Sequence, residues 1–217
     1  MERPSFSVVF LPRALPDRLN WQLLISRYKD FRLHSLRTSP AVFGSTFERE
    51  NNFGEDVWDG RLRNMRATNI VAIACNNHAD SSDEPNRTPN ALLHDWLGSI
   101  VLIEMEKSNQ EPISRSALVL PRSRELETPA QLVLHFHINA VFVDPVARGR
   151  GIGAALVDEA VSFGVRTAAA RGLQTAEFTL LVDDYNTEAR RLYENAGFEE
   201  AQVDEDEIGF RSGDGPL

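Results

Sequence analysis

The passage from Gln131 to Val161 constrains this chain more than any other. Gln131–Val143 is a mostly apolar run with no Gly or Pro, the pattern of a central strand. Directly after it, VDPVARGRGIG sets Gly149, Gly151 and Gly153 at alternate positions, with Arg148 and Arg150 between and beside them. Ile152, Leu156, Ala160, Phe163 and Thr167 then recur at helical spacing. A strand that turns sharply into a helix leaves N–H groups unpaired at the helix start. Those groups and the helix dipole attract phosphate. Glycines let a pyrophosphate approach the backbone and permit the positive φ angles that aim several N–H groups at one point. The amides of Arg148, Gly149, Arg150, Gly151, Ile152, Gly153 and Ala154 therefore read as a nest for a diphosphate.

Three readings compete for that nest. Gly149-x-Gly151-x-x-Ala154 is a loose match to the dinucleotide fingerprint. A dinucleotide unit, however, expects an acidic residue about twenty residues on, at the end of the next strand. Here the next strand-like run, Ala176–Val182, ends at Asp183-Asp184, too far along. A merely tight turn needs one glycine and explains neither arginine. The third reading rests on the wider pattern along the chain.

Ser5–Leu11 reads as a strand ended by Pro12. Asp17 can cap a helix with Trp21, Leu24, Ile25, Tyr28, Leu33 and Leu36 on one broad face, stopped at Ser39-Pro40. Ser45-Thr46-Phe47-Glu48 has capping-box spacing, so a second helix is expected from about Thr46 to Arg63, broken at Gly54. Asn69–Cys75 and Trp96–Met105 read as strands. Polar inserts near 76–95 and 106–130 separate these elements and are expected to be irregular. Ala176–Val182 is a further strand, Thr187–Asn195 a short helix, Glu200–Val203 a last short strand, and residues from about 204 to 217 an acidic tail. Helices and strands grouped early and alternating late predict a mixed α/β sheet. No internal repeat is evident, and 1–217 is expected to be a single domain.

This order carries a resemblance. Arg148-x-x-Gly151-x-Gly153, preceded by Val-Asp-Pro, resembles the acetyl-CoA loop of the GNAT superfamily of N-acetyltransferases. Asn186-Thr-Glu-Ala189-Arg-Arg-Leu-Tyr193-Glu-Asn-Ala-Gly197-Phe198 resembles that family's second motif, and Leu33–Glu50 its N-terminal helices. The resemblance is strong over 131–198, weaker over 20–105 and absent from the inserts. It implies a central, mostly antiparallel sheet splayed between its fourth and fifth strands and flanked by helices. The family usually ends in a strand hairpin, and little chain remains after Phe198; Ile208–Arg211 is the remaining candidate for its last strand.

The resemblance also implies acetyl-CoA as co-substrate and direct attack of a primary amine on the thioester. By analogy, Val141, Phe142 and Val143 would present a strand edge to the pantetheine, Asn186 would face it, and Tyr193 would be the acid. A phenol of pKa about 10 is a reasonable donor to a thiolate of pKa about 8–9. In some family members a Glu or His eleven residues before the loop arginine is the base; that position is His137. His135 lies on the same face of the strand, Glu177 is a further candidate, and a water chain to bulk is the alternative to a side-chain base. As alternatives, a strand histidine pairs with a neighbouring strand, Tyr193 packs as an aromatic, and Asn186 caps a helix. No third ligand joins the two histidines at metal spacing, so no metal is expected. Cys75, in an apolar run, reads as a core thiol.

The 217 residues carry a net charge of −9, with no basic face to suggest nucleic acid and no apolar run long enough to span a bilayer. One cysteine excludes an intrachain disulfide and suits the cytoplasm. The leading expectation is an N-acetyltransferase for a small-molecule amine, with a homodimer as a candidate assembly. A peptide or protein acceptor and a non-catalytic CoA-binding module are the alternatives.

Overall fold

The computed structural model describes residues 5–75, 88–105, 117–119 and 133–200. In chain order these form β1 (Ser5–Phe10), α1 (Arg18–Thr38), α2 (Phe47–Asn51), α3 (Glu55–Arg63), β2 (Ala67–Cys75), α4 (Thr88–Leu93), β3 (Trp96–Glu104), β4 (Ala117–Val119), β5 (Val133–Val143), α5 (Ile152–Ala170), β6 (Thr175–Leu181), α6 (Thr187–Asn195) and β7 (Glu199–Glu200). One sheet runs in the order β1-β2-β3-β5-β6-β4-β7. Every neighbouring pair is antiparallel except β5 and β6, which run parallel. The splay expected between the fourth and fifth strands thus falls between β5 and β6, because β4 is added ahead of them.

Side chains alternate across the strands into two cores. Ile70 and Ala72 of β2, Ile100 and Leu102 of β3, and Phe136 and Ile138 of β5 pack with Leu156 and Ala160 of α5. Val71 and Ile73 point the other way, to Trp21, Leu24 and Leu36 of α1 and Trp58 of α3. Burying each Val, Leu, Ile or Phe among them stabilises the fold by about 1.5–3 kcal/mol. Contact between α5 and the sheet is close: a Cβ at Gly164 would lie 2.6 Å from the Phe178 ring.

Local signals account for the helix ends. Asp17 accepts from the Asn20 N–H at 2.8 Å, and the helix stops before Ser39. Thr46 caps α2 through Arg49 N–H at 3.2 Å, so the cap is Thr46 and not the Ser45 of the Ser45–Glu48 spacing. The break at Gly54 separates α2 from α3.

Two expectations of irregular chain are corrected. The first insert contains α4, where Pro89 stands in the opening turn, a position that needs no N–H acceptor. Its far end is held in place: Trp96 Nε1 donates to Ala91 O at 2.8 Å, and Arg27 donates to Leu92 O at 2.6 Å. The second insert contributes β4, which pairs Ala117–Val119 with Leu181–Thr179 of β6 and also with β7. The strand beyond β6 therefore comes from the middle of the chain. Ile208–Arg211, the acidic tail, Val203 and most of both inserts lie outside the described residues.

Candidate active site

β5 is paired along two different lengths on its two sides. On the β3 side pairing continues to Val143, opposite Gly98; on the β6 side it stops at Ile138, opposite Leu180. Residues 139–143 therefore present a backbone edge with no strand beside it. A β-bulge makes the divergence. Val101 opposes Asn139 while Ser99 opposes Phe142, so β5 carries one extra residue there. Within the bulge Ala140 has φ 51°, the single positive φ among described non-glycine residues, and its N–H is held by Asn139 Oδ1 at 2.7 Å.

A cleft of about 1130 Å³ opens at that gap. One wall is the loop between β5 and α5. Asp144 caps a 3-10 turn over Pro145–Ala147 through the Val146 N–H, 3.0 Å away. Gly149 and Gly151 follow at φ 71° and 80°, and Gly151 is the N-cap of α5. The first helical bond closes from Ala155 N–H to Gly151 O at 3.0 Å, which leaves the N–H groups of Ile152, Gly153 and Ala154 unused by the helix. A Cβ at Gly149 or Gly151 would meet no atom within 4 Å, so open space lies over the backbone. Those features suit a diphosphate: oriented donors, a helix dipole and room for close approach. Arg148 donates to Val143 O at 3.1 Å and to Ser39 Oγ at 3.4 Å. With the His34–Asp144 pair at 2.8 Å, it ties the loop to the end of α1.

Of the residues singled out in the sequence, Val141, Phe142, Val143, Arg148, Gly149, Gly151, Ile152, Gly153, Ala154, Asn186, Tyr193 and His137 line this cleft. Arg150 is not among the lining residues. Asn186 caps α6 by accepting from the Ala189 N–H at 3.3 Å, so it is a helix cap and a cleft residue at once. Tyr193 is buried on α6, edge-on to Phe198. Burial pushes its hydroxyl well above the ordinary phenol value. His137 is bonded through Nδ1 to Thr179 Oγ1 at 3.1 Å, and burial lowers its pKa. Thr179 Oγ1 donates its own proton to Phe136 O at 3.4 Å, so it accepts from His137 Nδ1–H, and a neutral ring then has Nε2 as its acceptor.

The other candidates lie elsewhere. His135 Nδ1 is 2.8 Å from Glu177 Oε2, a cross-strand pair outside the cleft. Cys75 Sγ lies 2.7 Å from Ser7 Oγ at the far end of β2, also outside the cleft.

Sequence reasoning missed the wall opposite the glycine loop. Glu50 of α2 is 1% exposed. Arg32 of α1 grips it with Nε at 3.1 Å and Nη2 at 2.8 Å, and Arg61 of α3 adds Nη1 at 2.7 Å. Desolvation raises the carboxyl, but the two guanidinium groups outweigh it and hold Glu50 at about 2. Arg32 lies over Phe43 and Arg61 over Trp58, with Arg61 also facing Phe53. No sequence spacing links 32, 50 and 61; three helices bring them together.

Residues 108–200 match the acetyltransferase (GNAT) domain. Peptidyl-lysine N-acetyltransferase YjaB of Escherichia coli (strain K12) is 27% identical over 139 residues, 64% of this chain and 79% of that protein. The uncharacterized N-acetyltransferase MJ1207 of Methanocaldococcus jannaschii is 41% identical over 66 residues, and the chain spans only 26% of its length. The fold resembles that of the aminoglycoside acetyltransferase HMB0005 from an uncultured soil metagenomic sample, with a TM-score of 0.50 and 16% identity over 98% of this chain and 99% of that one. An acetyltransferase (GNAT) domain is thus recognised in the later part of the chain, over residues 108–200.

Proposed function

We propose that the protein is an acetyl-CoA-dependent N-acetyltransferase acting on a small primary amine. The observation that carries this reading is the shared cleft: an unpaired strand edge, a glycine nest, a buried tyrosine and a neutral histidine all face one space. Acetyl-CoA, when bound, supplies the activated acetyl thioester. The N–H groups of Ile152, Gly153 and Ala154, with those of the preceding loop, hold the pyrophosphate. The 139–143 edge and Asn186 hold the pantetheine arm, and a backbone N–H of that edge polarises the thioester carbonyl.

His137 Nε2 accepts the proton that an ammonium must lose before its nitrogen can attack. Lowering of the His137 pKa by burial keeps the imidazole in its accepting form at neutral pH. Tyr193 faces the leaving sulfur. Its hydroxyl, held above the ordinary phenol range, stays protonated and stabilises the departing thiolate as a hydrogen-bond donor more than by complete proton transfer.

A peptide acceptor is the second reading, favoured by the name of the Escherichia coli relative. Residues 1–217 read as one domain, and the single cysteine suits a cytoplasmic setting; no described helix is long and apolar enough to cross a membrane. The test is calorimetric titration with acetyl-CoA, followed by thiol release with small amines and with lysine peptides. Acetyl-CoA binding with release stimulated by small amines supports the leading reading. Release stimulated by peptides alone selects the second. Absence of acetyl-CoA binding to the folded protein overturns both.

A further inference from the structure

We infer that the acceptor amine carries an anionic group, a carboxylate or a phosphate, read by Arg49 and Arg61. This rests on the acetyltransferase reading and names the class of its second substrate. The end of the cleft formed by α1, α2 and α3 holds three guanidinium groups, of Arg32, Arg49 and Arg61, against one carboxylate, Glu50. It is a local excess of positive charge in a chain whose net charge is −9. The other acidic residues lining the cleft, Asp183 and Glu188, belong to the β6–α6 side.

The three arginines are differently committed. Arg32 gives Nε and Nη2 to Glu50, and its Nη1 is buried, so it anchors the cluster. Arg61 gives Glu50 only Nη1 and keeps Nε and Nη2, with its plane steadied by Trp58 and Phe53. Arg49 is exposed on the cleft wall, and its guanidinium has no partner among the described residues. Glu50 carries one negative charge, which offsets one of the three positive ones. An anchored guanidinium and a free one on the same cleft wall supply N–H donors of the kind that hold a planar or tetrahedral oxyanion. A polycationic acceptor would meet repulsion at the same place.

The test uses matched amines. Initial rates of thiol release are compared for free amino acids against their carboxamides, and for phosphoethanolamine against ethanolamine, at constant ionic strength. The anionic member of at least one pair should be preferred by about tenfold, and R49E should abolish that preference through KM for the amine while leaving acetyl-CoA affinity unchanged. A preference in the amino-acid pairs assigns a carboxylate, and one in the ethanolamine pair a phosphate. Equal use of both members, or better use of the uncharged ones, overturns the inference while leaving acetyl transfer intact. A readout without turnover guards against an untried acceptor. With CoA saturating the glycine nest, malonate should raise the melting temperature of the wild type above a sodium chloride control of equal ionic strength, and not that of R49E. Equal melting temperatures in malonate and chloride overturn the inference whatever the rates show.

Discussion

The two ends of the cleft offer binding groups of different kinds. At the α5 end the groups are backbone N–H donors, aimed by the positive φ of Gly149 and Gly151 and by the start of a helix. At the α1–α3 end they are side chains, two guanidinium groups holding a buried carboxylate and a third, of Arg49, on the same wall. A backbone site is indifferent to most side-chain changes and intolerant of losing its glycines. A side-chain site can be retuned at its exposed members, such as Arg49, while its buried Glu50 stays to hold the fold. The first kind suits a co-substrate that never changes, the second an acceptor that does.

The sharpest way to break this contrast is to put a carboxylate in the nest. Gly151→Glu forces a side chain into φ 80° and sets a negative charge where the donors converge. Affinity for CoA should fall by roughly a thousandfold with the circular dichroism spectrum kept; unchanged affinity in a folded variant would end the nest assignment. At the other end the same logic applies to stability. Glu50→Ala leaves two arginines facing each other without their carboxylate and should cost about 3 kcal/mol in urea denaturation at pH 7. The pH dependence has a definite sign. Glu50 sits at about 2 in the fold against 4.5 when exposed, so its contribution is complete above pH 4.5 and shrinks as the pH falls toward 2. The gap between wild type and variant should therefore narrow at pH 3.

Tyr193 and His137, the proposed acid and base, line the same cleft. Tyr193→Phe should lower kcat roughly a hundredfold while acetyl-CoA affinity measured by calorimetry stays within about twofold; an unchanged kcat removes Tyr193 from the chemistry. His137→Gln should lower kcat by about tenfold and erase the acidic limb of the pH–rate profile, which in the wild type should lie below the ordinary histidine value of 6.5. A limb that survives the substitution assigns the base elsewhere. The smallest effect sets the baseline: Arg166→Ala breaks an exposed pair with Glu159 at 2.9 Å and should change stability by less than about 0.5 kcal/mol.

Legibility in the sequence divides along the same line as the cleft. The glycine loop, the Asp17 and Asn186 caps and the long strand over 133–143 are local, and each leaves its pattern within a few residues. The bulge at Ala140 was not legible, since it depends on where β3 pairs. Nor was the Arg32–Glu50–Arg61 cluster, whose members stand on three helices and share only a point in space. His135 and His137 look equivalent by alternation, yet only the neighbouring strand decides their fates: Glu177 takes one and Thr179 the other. Strand β4 was hidden for the same reason, because three residues of ordinary composition become a strand only when β6 and β7 flank them.

That last strand has a consequence for how the molecule is made. β4 precedes β5 in the chain, but both its partners, residues 179–181 and 199–200, come from the final part of the described chain. Its docking closes long loops, which is slow and entropically costly. During synthesis from the N-terminus, the β1-β2-β3-β5 half of the sheet can assemble while Ala117–Val119 waits as an unsatisfied segment. The last side of the sheet to close is therefore the one built around β6, and the cleft takes its final shape only when the end of α6 has emerged.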